Sequence, residues 1–322
     1  MLSTSGEWRV ASGEWRVASG EWRVASGEWL GTWERGRNLL FHYFTTSLFH
    51  YFTTSLFHYF TINMKSTQPY EGLRANAAGS ERVKDELTLE HPLSIRIGGE
   101  AFMMTMHTPA DELDLVRGIL FTEGVARKKE GALEIEVVER SENGFISVVN
   151  VPANEVDLQA AQLNKRSLLS VASCGICGKT SLNLPEGRLL GDNGILDAQM
   201  VVAMFATMKE QQSAYLSGGG SHGAAIFNAQ HAMLAMREDI GRHNAVDKAI
   251  GALLNGGNLN QGRYLLVSGR VSYEIVVKCF AAGIPNLLAV SAPSSLAVDF
   301  CKELGIALYG FCRDGRFTCY SA

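Results

Sequence analysis

Residues 263–311 read "RYLLVSGRVSYEIVVKCFAAGIPNLLAVSAPSSLAVDFCKELGIALYGF", and the fold turns on this stretch. "RYLLVSG", "PNLLAVS" and "IALYGF" are short continuous apolar runs, while "SYEIVVKCFAAG" and "SSLAVDFCKELG" carry helical spacing. Unbroken apolar runs of this length suit strands buried on both faces. Strand–helix–strand–helix–strand at this spacing predicts right-handed crossovers and a parallel sheet. The larger domain, residues 166–322, is therefore expected to be an α/β/α sandwich.

Consecutive parallel strands end on one edge of their sheet, where α/β proteins place ligands. The segments predicted at those ends are Ser268-Gly269-Arg270, Ser291 to Ser295, and Cys312-Arg313-Asp314-Gly315-Arg316. Gly269 lets backbone approach a ligand. Helices that follow would aim N–H groups at it, and Arg270, Arg313 and Arg316 add fixed positive charge. That is the chemistry of a phosphate or pyrophosphate site. The same residues also have an ordinary reading, because Ser and Gly cap helices and "RDGR" suits a hairpin turn.

Upstream, "GRHNAVDKAIGALL" predicts a helix, and "HGAAIFNAQHAMLAMRED" a hairpin turning at Asn228–Gln230. "LDAQMVVAMFATMKEQQSAYL" predicts one helix, closed by Gly218-Gly219-Gly220. Residues 86–165 are expected to form a smaller α+β domain. "LTLEHPLSIRIGGEAFMMTMHT" gives two alternating runs joined at Gly98-Gly99, and "ALEIEVVERSENGFISVVNV" a second hairpin through Glu142-Asn143-Gly144. "PADELDLVRGILFTEG" predicts a helix that starts at Pro109 or Asp111 and stops at Gly124. Its apolar face is Leu113, Val116, Leu120 and Phe121. Residues 64–85 are polar and are expected to be a flexible leader.

The first 63 residues are of another kind. "GEWRVAS" repeats from Gly6 at a seven-residue period, and "LFHYFTTS" from Leu40 at a period of eight. Structural repeats drift while keeping their core positions, whereas these copies are identical. Residues 1–63 are accordingly expected to lie outside the working fold, disordered or mis-assigned as part of the protein.

Composition narrows the function. The chain has 322 residues, 46% of them apolar, enough for one large domain or two smaller ones. A formal net charge of −4 argues against bulk nucleic-acid binding and against a polybasic membrane anchor. No apolar stretch of about eighteen residues predicts a transmembrane helix. Cys279, Cys301, Cys312 and Cys319 are widely spaced within largely apolar surroundings, as reduced core thiols are in cytosolic proteins.

The remaining two cysteines form one motif, "SVASCGICGK" at residues 170–179. Cys174 and Cys177 have four possible uses. A zinc clip needs two more ligands, and His222 and His243 lie far along the chain without ligand spacing of their own. A thioredoxin-like pair sits at a helix N-terminus, but "GKTSLNLPEG" after the motif is not helical. A zinc deaminase needs H-x-E and P-C-x-x-C, and neither is present. Finally, a glycine-flanked loop can expose a thiolate, favoured by Lys179, that accepts a sulfur atom and passes it on.

Several stretches together resemble one family. "SLLSVASCGICGK", "MREDIGRHNAVDKAIG", the run from "YLLVSGRVSYE" to "GFCRDGRFTCYS", and upstream "PLSIRIGG" and "FMMTMHTPADELDLVRGILFTEGV" are similar to the formate dehydrogenase accessory sulfurtransferases, the FdhD/NarQ family. The resemblance covers residues 85–322. It implies a cytoplasmic homodimer that carries sulfur from a cysteine desulfurase to the molybdenum cofactor, a bis-molybdopterin guanine dinucleotide, for formate dehydrogenase. It implies a cytidine-deaminase-like sandwich without the zinc chemistry, hence no tightly bound zinc. It places the persulfide on Cys174 with Cys177 as its partner, and the cofactor contact on Phe311 to Arg316. His243 and Asp247 would face the pocket. The alternative is a chaperone that binds the cofactor while its CxxC is structural or redox-regulatory. Sulfur labelling of Cys174 separates the two.

Overall fold

The computed structural model describes residues 13–17, 20–24, 66–126, 128, 130–162 and 195–322. The chain divides into two compact units, Met1–Asn63 and Met64–Ala322. In the first unit, β1 (Gly13–Val17) and β2 (Gly20–Val24) are two copies of GEWRV that pair antiparallel, with Trp15 opposite Trp22.

The second unit is mixed α/β and contains three separate sheets among the described residues. The largest has six strands: β9 (His222–Phe227), β10 (Met233–Asp239), β11 (Tyr264–Val267), β12 (Asn286–Ala289), β13 (Ala307–Arg313) and β14 (Arg316–Ser321). Their order is β10-β9-β11-β12-β13-β14. β11, β12 and β13 are mutually parallel, but β9, β10 and β14 join antiparallel, so the whole sheet is mixed. Side chains alternate between its faces. Ile226, Leu265, Val267, Leu287 and Leu308 pack under α4 (Arg242–Asn255), α5 (Tyr273–Ala281) and α6 (Ser295–Leu304). Phe227, Leu266, Leu288 and Tyr309 face the other way, onto Val201, Met204 and Met208 of α2 (Ala198–Glu210).

The predicted single helix over 196–216 is in fact two, α2 and the short α3 (Ser213–Gly218). The break has a tertiary cause. The Glu238 carboxylate on β10 accepts the backbone N–H groups of Ala214 and Tyr215, both at 2.8 Å, and so caps a new helix there.

The second sheet has order β6-β5-β8-β7, from β5 (His91–Ile97), β6 (Glu100–His107), β7 (Glu136–Arg140) and β8 (Ile146–Val151). It is covered by α1 (Glu112–Thr122). The buried face of α1 is Leu115, Val116, Ile119 and Leu120. Leu113, predicted on that face, is 42% exposed, because α1 is held on its other side by α4 and rotates Leu113 to the rim. The boundary expected at 165/166 lies outside the described residues. Residues expected to be a flexible leader form the third sheet, a long hairpin of β3 (Thr67–Asn76) and β4 (Gly79–Thr88).

α1 and α4 approach until backbone meets backbone. A Cβ on Gly118 would overlap the Asp247 carbonyl, and one on Gly251 the Asp114 carbonyl. Beside this crossing, the Lys278 ammonium donates to Asp247 (2.8 Å to Oδ2) and to Thr122 Oγ1 at 3.0 Å. Burial raises the Asp247 carboxyl's pKa. Burial also opposes the Lys278 charge, yet Asp247 and Glu123 hold its pKa above the ordinary lysine value. The ion pair is the form in which the donors and acceptors of both groups match.

A second buried network joins the small sheet to the large one. Lys248 Nζ lies 2.8 Å from Asp239 and donates to the Thr108 carbonyl at 2.7 Å, while Thr108 N–H donates to Asp239 at 3.1 Å. His107 Nδ1 also donates to the Thr108 carbonyl, at 2.9 Å, which leaves Nε2 as a buried acceptor without a partner among the described residues. Burial, then Lys248, lower its pKa from 6.5 to about 4, with His91 adding to the effect and Asp239 opposing it. The unfolded chain therefore binds more protons than the folded one between those values. Stability should be full above about pH 6.5 and fall by up to about 3 kcal/mol as the pH drops toward 4. Urea unfolding across that range should show the slope, and His107→Asn should flatten it; an equally steep slope in the variant would assign it elsewhere.

Candidate functional site

The structure brings the predicted segments to one edge of the large sheet. Val271, just after β11, bridges Pro293, and Ser294 N–H donates to the Val271 carbonyl at 2.9 Å. Phe311 N–H donates to the Ser291 carbonyl at 3.2 Å. The ends of all three parallel strands are thus stitched together. Because β9 runs antiparallel to β11, the hairpin with β10 returns residue 222 and residues 239–243 to the same edge.

Each predicted contact has a distinct environment there. Ser268 Oγ accepts the Gly223 N–H at 2.9 Å and lies 3.4 Å from His222 Nδ1. Gly269 is buried against two basic side chains. A Cβ there would sit 3.2 Å from His222 Nδ1 and 3.4 Å from Arg242 Cβ and Cδ. Arg270 is exposed. Burial lowers the His222 pKa, and the positive charges of Arg242, His243 and Arg270 lower it further, against Asp239. His243 Nε2 lies 3.2 Å from Ser272 Oγ and 3.6 Å from Glu274. Burial opposes the Glu274 charge, but hydrogen bonds from His243 and Ser272 outweigh it and bring the pKa to about 2.

The N-termini of α4 and α5 open at this edge, at Gly241 and Ser272, with no side-chain cap bond on either. Their N–H groups, together with Arg242 and Arg270, make the edge electropositive. Arg242 Nε is buried and has no hydrogen-bond partner among the described residues. The arrangement can hold an anion with several acceptor oxygens.

Sequence reasoning did not single out Arg242, considered His222 only as a zinc ligand, and gave His243 a place facing the pocket only through the family resemblance. Their convergence depends on the β9–β10 hairpin; that hairpin, followed by a helix opening with "GRHN", is the signal that could have located them. Asp247 does not face this edge but is buried with Lys278 and Thr122.

Phe311 to Arg316 divides in two. Phe311 takes left-handed φ of 55° and belongs to the stitched edge. Cys312 is buried, its Sγ donating to the Tyr309 carbonyl at 3.6 Å, and burial pushes its thiol up to about 12. Arg313, Asp314, Gly315 and Arg316 are the exposed β13–β14 turn, with Arg313 opposite Arg316. Asp314 and Gly315 have φ of 54° and 72°, the two left-handed residues of a tight hairpin turn. Burial also raises the Cys279 and Cys301 thiols, which makes them poor nucleophiles. Cys174 and Cys177 lie outside the described residues. Among the described residues no group of three or more His, Cys, Asp or Glu is placed to hold a metal, and no helix is long and apolar enough to cross a membrane.

Comparison with known proteins agrees with this architecture. A putative formate dehydrogenase accessory protein from Desulfotalea psychrophila superposes with a TM-score of 0.62 over 80% of this chain and 98% of its own, at 22% identity. The sulfur carrier protein FdhD of Nocardia farcinica is 39% identical over 255 residues, 77% of this chain and 91% of that protein. FdhD of Thermoplasma acidophilum is 36% identical over 252 residues, 76% of this chain and 88% of its own. Residues 88–322 match the FdhD/NarQ family as a whole. The chain, from the start of its small sheet to its last strand, belongs to the FdhD/NarQ family.

Proposed function

We propose that the protein is a sulfurtransferase that carries persulfide sulfur from a cysteine desulfurase to the bis-molybdopterin guanine dinucleotide molybdenum cofactor required by formate dehydrogenase. The observation that carries this reading is the sheet edge at which Arg242, Arg270 and the N-termini of α4 and α5 gather positive charge around Gly269 and His222. It suits a pyrophosphate, and the cofactor carries one in each half. The curated relatives' own name, sulfur carrier protein, supplies the cargo.

In this reading the Cys174 thiolate attacks the outer sulfur of the desulfurase persulfide. The S–S bond there breaks, the desulfurase thiolate leaves, and Cys174 holds the sulfur as a persulfide. Attack by the Cys177 thiolate on Cys174 Sγ then expels sulfide and leaves a Cys174–Cys177 disulfide, which a thiol reductant reopens. With this function go the likeness of residues 166–322 to cytidine deaminases that have lost their zinc chemistry, a homodimeric state, and a cytoplasmic location.

GDP stands in for half of the cofactor. Its phosphates should meet Ser268, Gly269 and Arg270, with Arg313 and Arg316 reaching in from the turn. A charge-assisted hydrogen bond is worth about 1.5–3 kcal/mol, so Arg270→Ala, Arg313→Ala or Arg316→Ala should each weaken GDP about tenfold to a hundredfold. A bound phosphate also favours protonated His222, so affinity should rise as the pH falls through the range in which His222 gains its proton. Calorimetry in buffers of different ionisation heat reads both effects. GDP affinity unchanged in all three variants, with no proton uptake, would remove the nucleotide from this edge.

A further inference from the structure

We propose that the β3–β4 hairpin is an arm that clasps a second copy of this chain. Among the described residues β3 and β4 pair only with each other, so both long edges of the ribbon present backbone N–H and C=O groups that no described strand pairs. All its strand residues except Thr67, Val83 and Thr88 are exposed. An isolated two-stranded ribbon is marginal in water, and open edges invite another chain. Yet this one displays large apolar side chains: Tyr70 is 50% exposed and Leu87 46% on one face, and Leu73 is 68% exposed on the other. The patch continues onto α3 at the arm's base, where Leu216 is 60% exposed. Gly218 and Gly220 there pack against Thr67 and Thr88 so closely that a Cβ would crowd them, at 3.0 to 3.2 Å. His222 follows two residues later, so the arm is rooted at the rim of the candidate site.

Charge and area select the occupant. The arm carries four acidic groups (Glu71, Glu81, Asp85, Glu86) and three basic ones (Arg74, Arg82, Lys84), intermixed along both strands. Arg74 pairs with Asp85 at 3.0 Å. A nucleic acid or an anionic membrane would call for a single sign. An intermixed, nearly neutral pattern can pair with a copy of itself. Ten residues per strand make the arm about 33 Å long, and two strands make it about 10 Å wide. Covering both faces would bury about 660 Å² per partner, close to the roughly 800 Å² per partner of a stable interface.

This inference rests on the homodimeric reading above and adds the surface that forms the dimer. Sedimentation of the full chain over a wide concentration series should give twice 35.1 kDa, dissociating on dilution. Tyr70→Lys/Leu73→Lys/Leu87→Lys should weaken association about thirtyfold or more, because three apolar anchors are lost. The arm lies outside the packed cores, so at concentrations where both proteins are monomeric the variant should unfold at the same temperature as the unsubstituted chain. Hydrogen exchange on the unsubstituted chain is a second readout. Amides along the outer edges of β3 and β4 should be protected in the dimer and lose that protection on dilution. A monomer at every concentration overturns both the arm and the dimer. A dimer that the lysines leave intact, or arm amides exchanging equally at all concentrations, overturns the arm alone.

Discussion

Gly251→Ala should destabilise the protein by at least about 3 kcal/mol, the upper end of what overpacking costs. The reason is the nature of the obstacle. A methyl group at 251 overlaps the carbonyl oxygen of Asp114 and crowds Gly118 N, and backbone cannot rotate aside as a side chain can. α1 and α4 would have to separate, which loosens the Asp114 contacts to Arg237 at 2.8 Å and to Asn255 at 2.8 Å. The better helix propensity of alanine offsets at most about 1 kcal/mol of this. The midpoint of thermal unfolding should fall by roughly 6–12 °C. Gly256→Ala, at the end of the same helix where no clash below 3.3 Å arises, is the control and should shift it little. Equal melting of Gly251→Ala and the unsubstituted chain would mean that the two helices do not cross at these glycines.

Cys174→Ala should abolish maturation of formate dehydrogenase, while Cys279→Ala should act only through packing. The contrast follows from thiol chemistry. A sulfur carrier needs an accessible thiolate, and Cys279, fully buried with its thiol donating to the Ile284 carbonyl at 3.2 Å, is held protonated by burial. Cys301 and Cys312 share that fate, both pushed up to about 12 by burial. Loss of the Cys174 thiol leaves no equivalent nucleophile among these three, so the expected effect is complete loss of activity. Restoration of formate dehydrogenase by Cys174→Ala at the normal level would refute the persulfide reading.

The parts of the fold legible in the sequence are those set by local pattern. β11, β12 and β13 were readable because unbroken apolar runs between helical segments fit a strand buried on both faces. The β13–β14 turn was readable because Asp314-Gly315 accept left-handed backbone. Tertiary partners set the rest. Nothing near Gln211 and Gln212 says that a carboxylate on β10 will end one helix and start another. The face of α1 was misjudged at Leu113 because two bodies, the small sheet and α4, compete for that helix. β3 and β4 were missed since neither strand alternates apolar with polar residues. The convergence of Arg242 and His222 with Gly269, 27 and 47 residues away in the sequence, depends on the β9–β10 hairpin, a separation that single-segment patterns do not span. Asp247 was grouped with His243 because the two share one face of α4; one turn further into the helix, that face is covered by α1 and α5, and Asp247 pairs with Lys278 and Thr122 instead.

The most direct test of the central claim is the intact mass of the protein after incubation with a cysteine desulfurase and cysteine. The account predicts a gain of one sulfur atom per chain, removed by a thiol reductant, mapped to Cys174 and absent in Cys174→Ala. A chain that gains no sulfur, or one that gains it equally in Cys174→Ala, would contradict it.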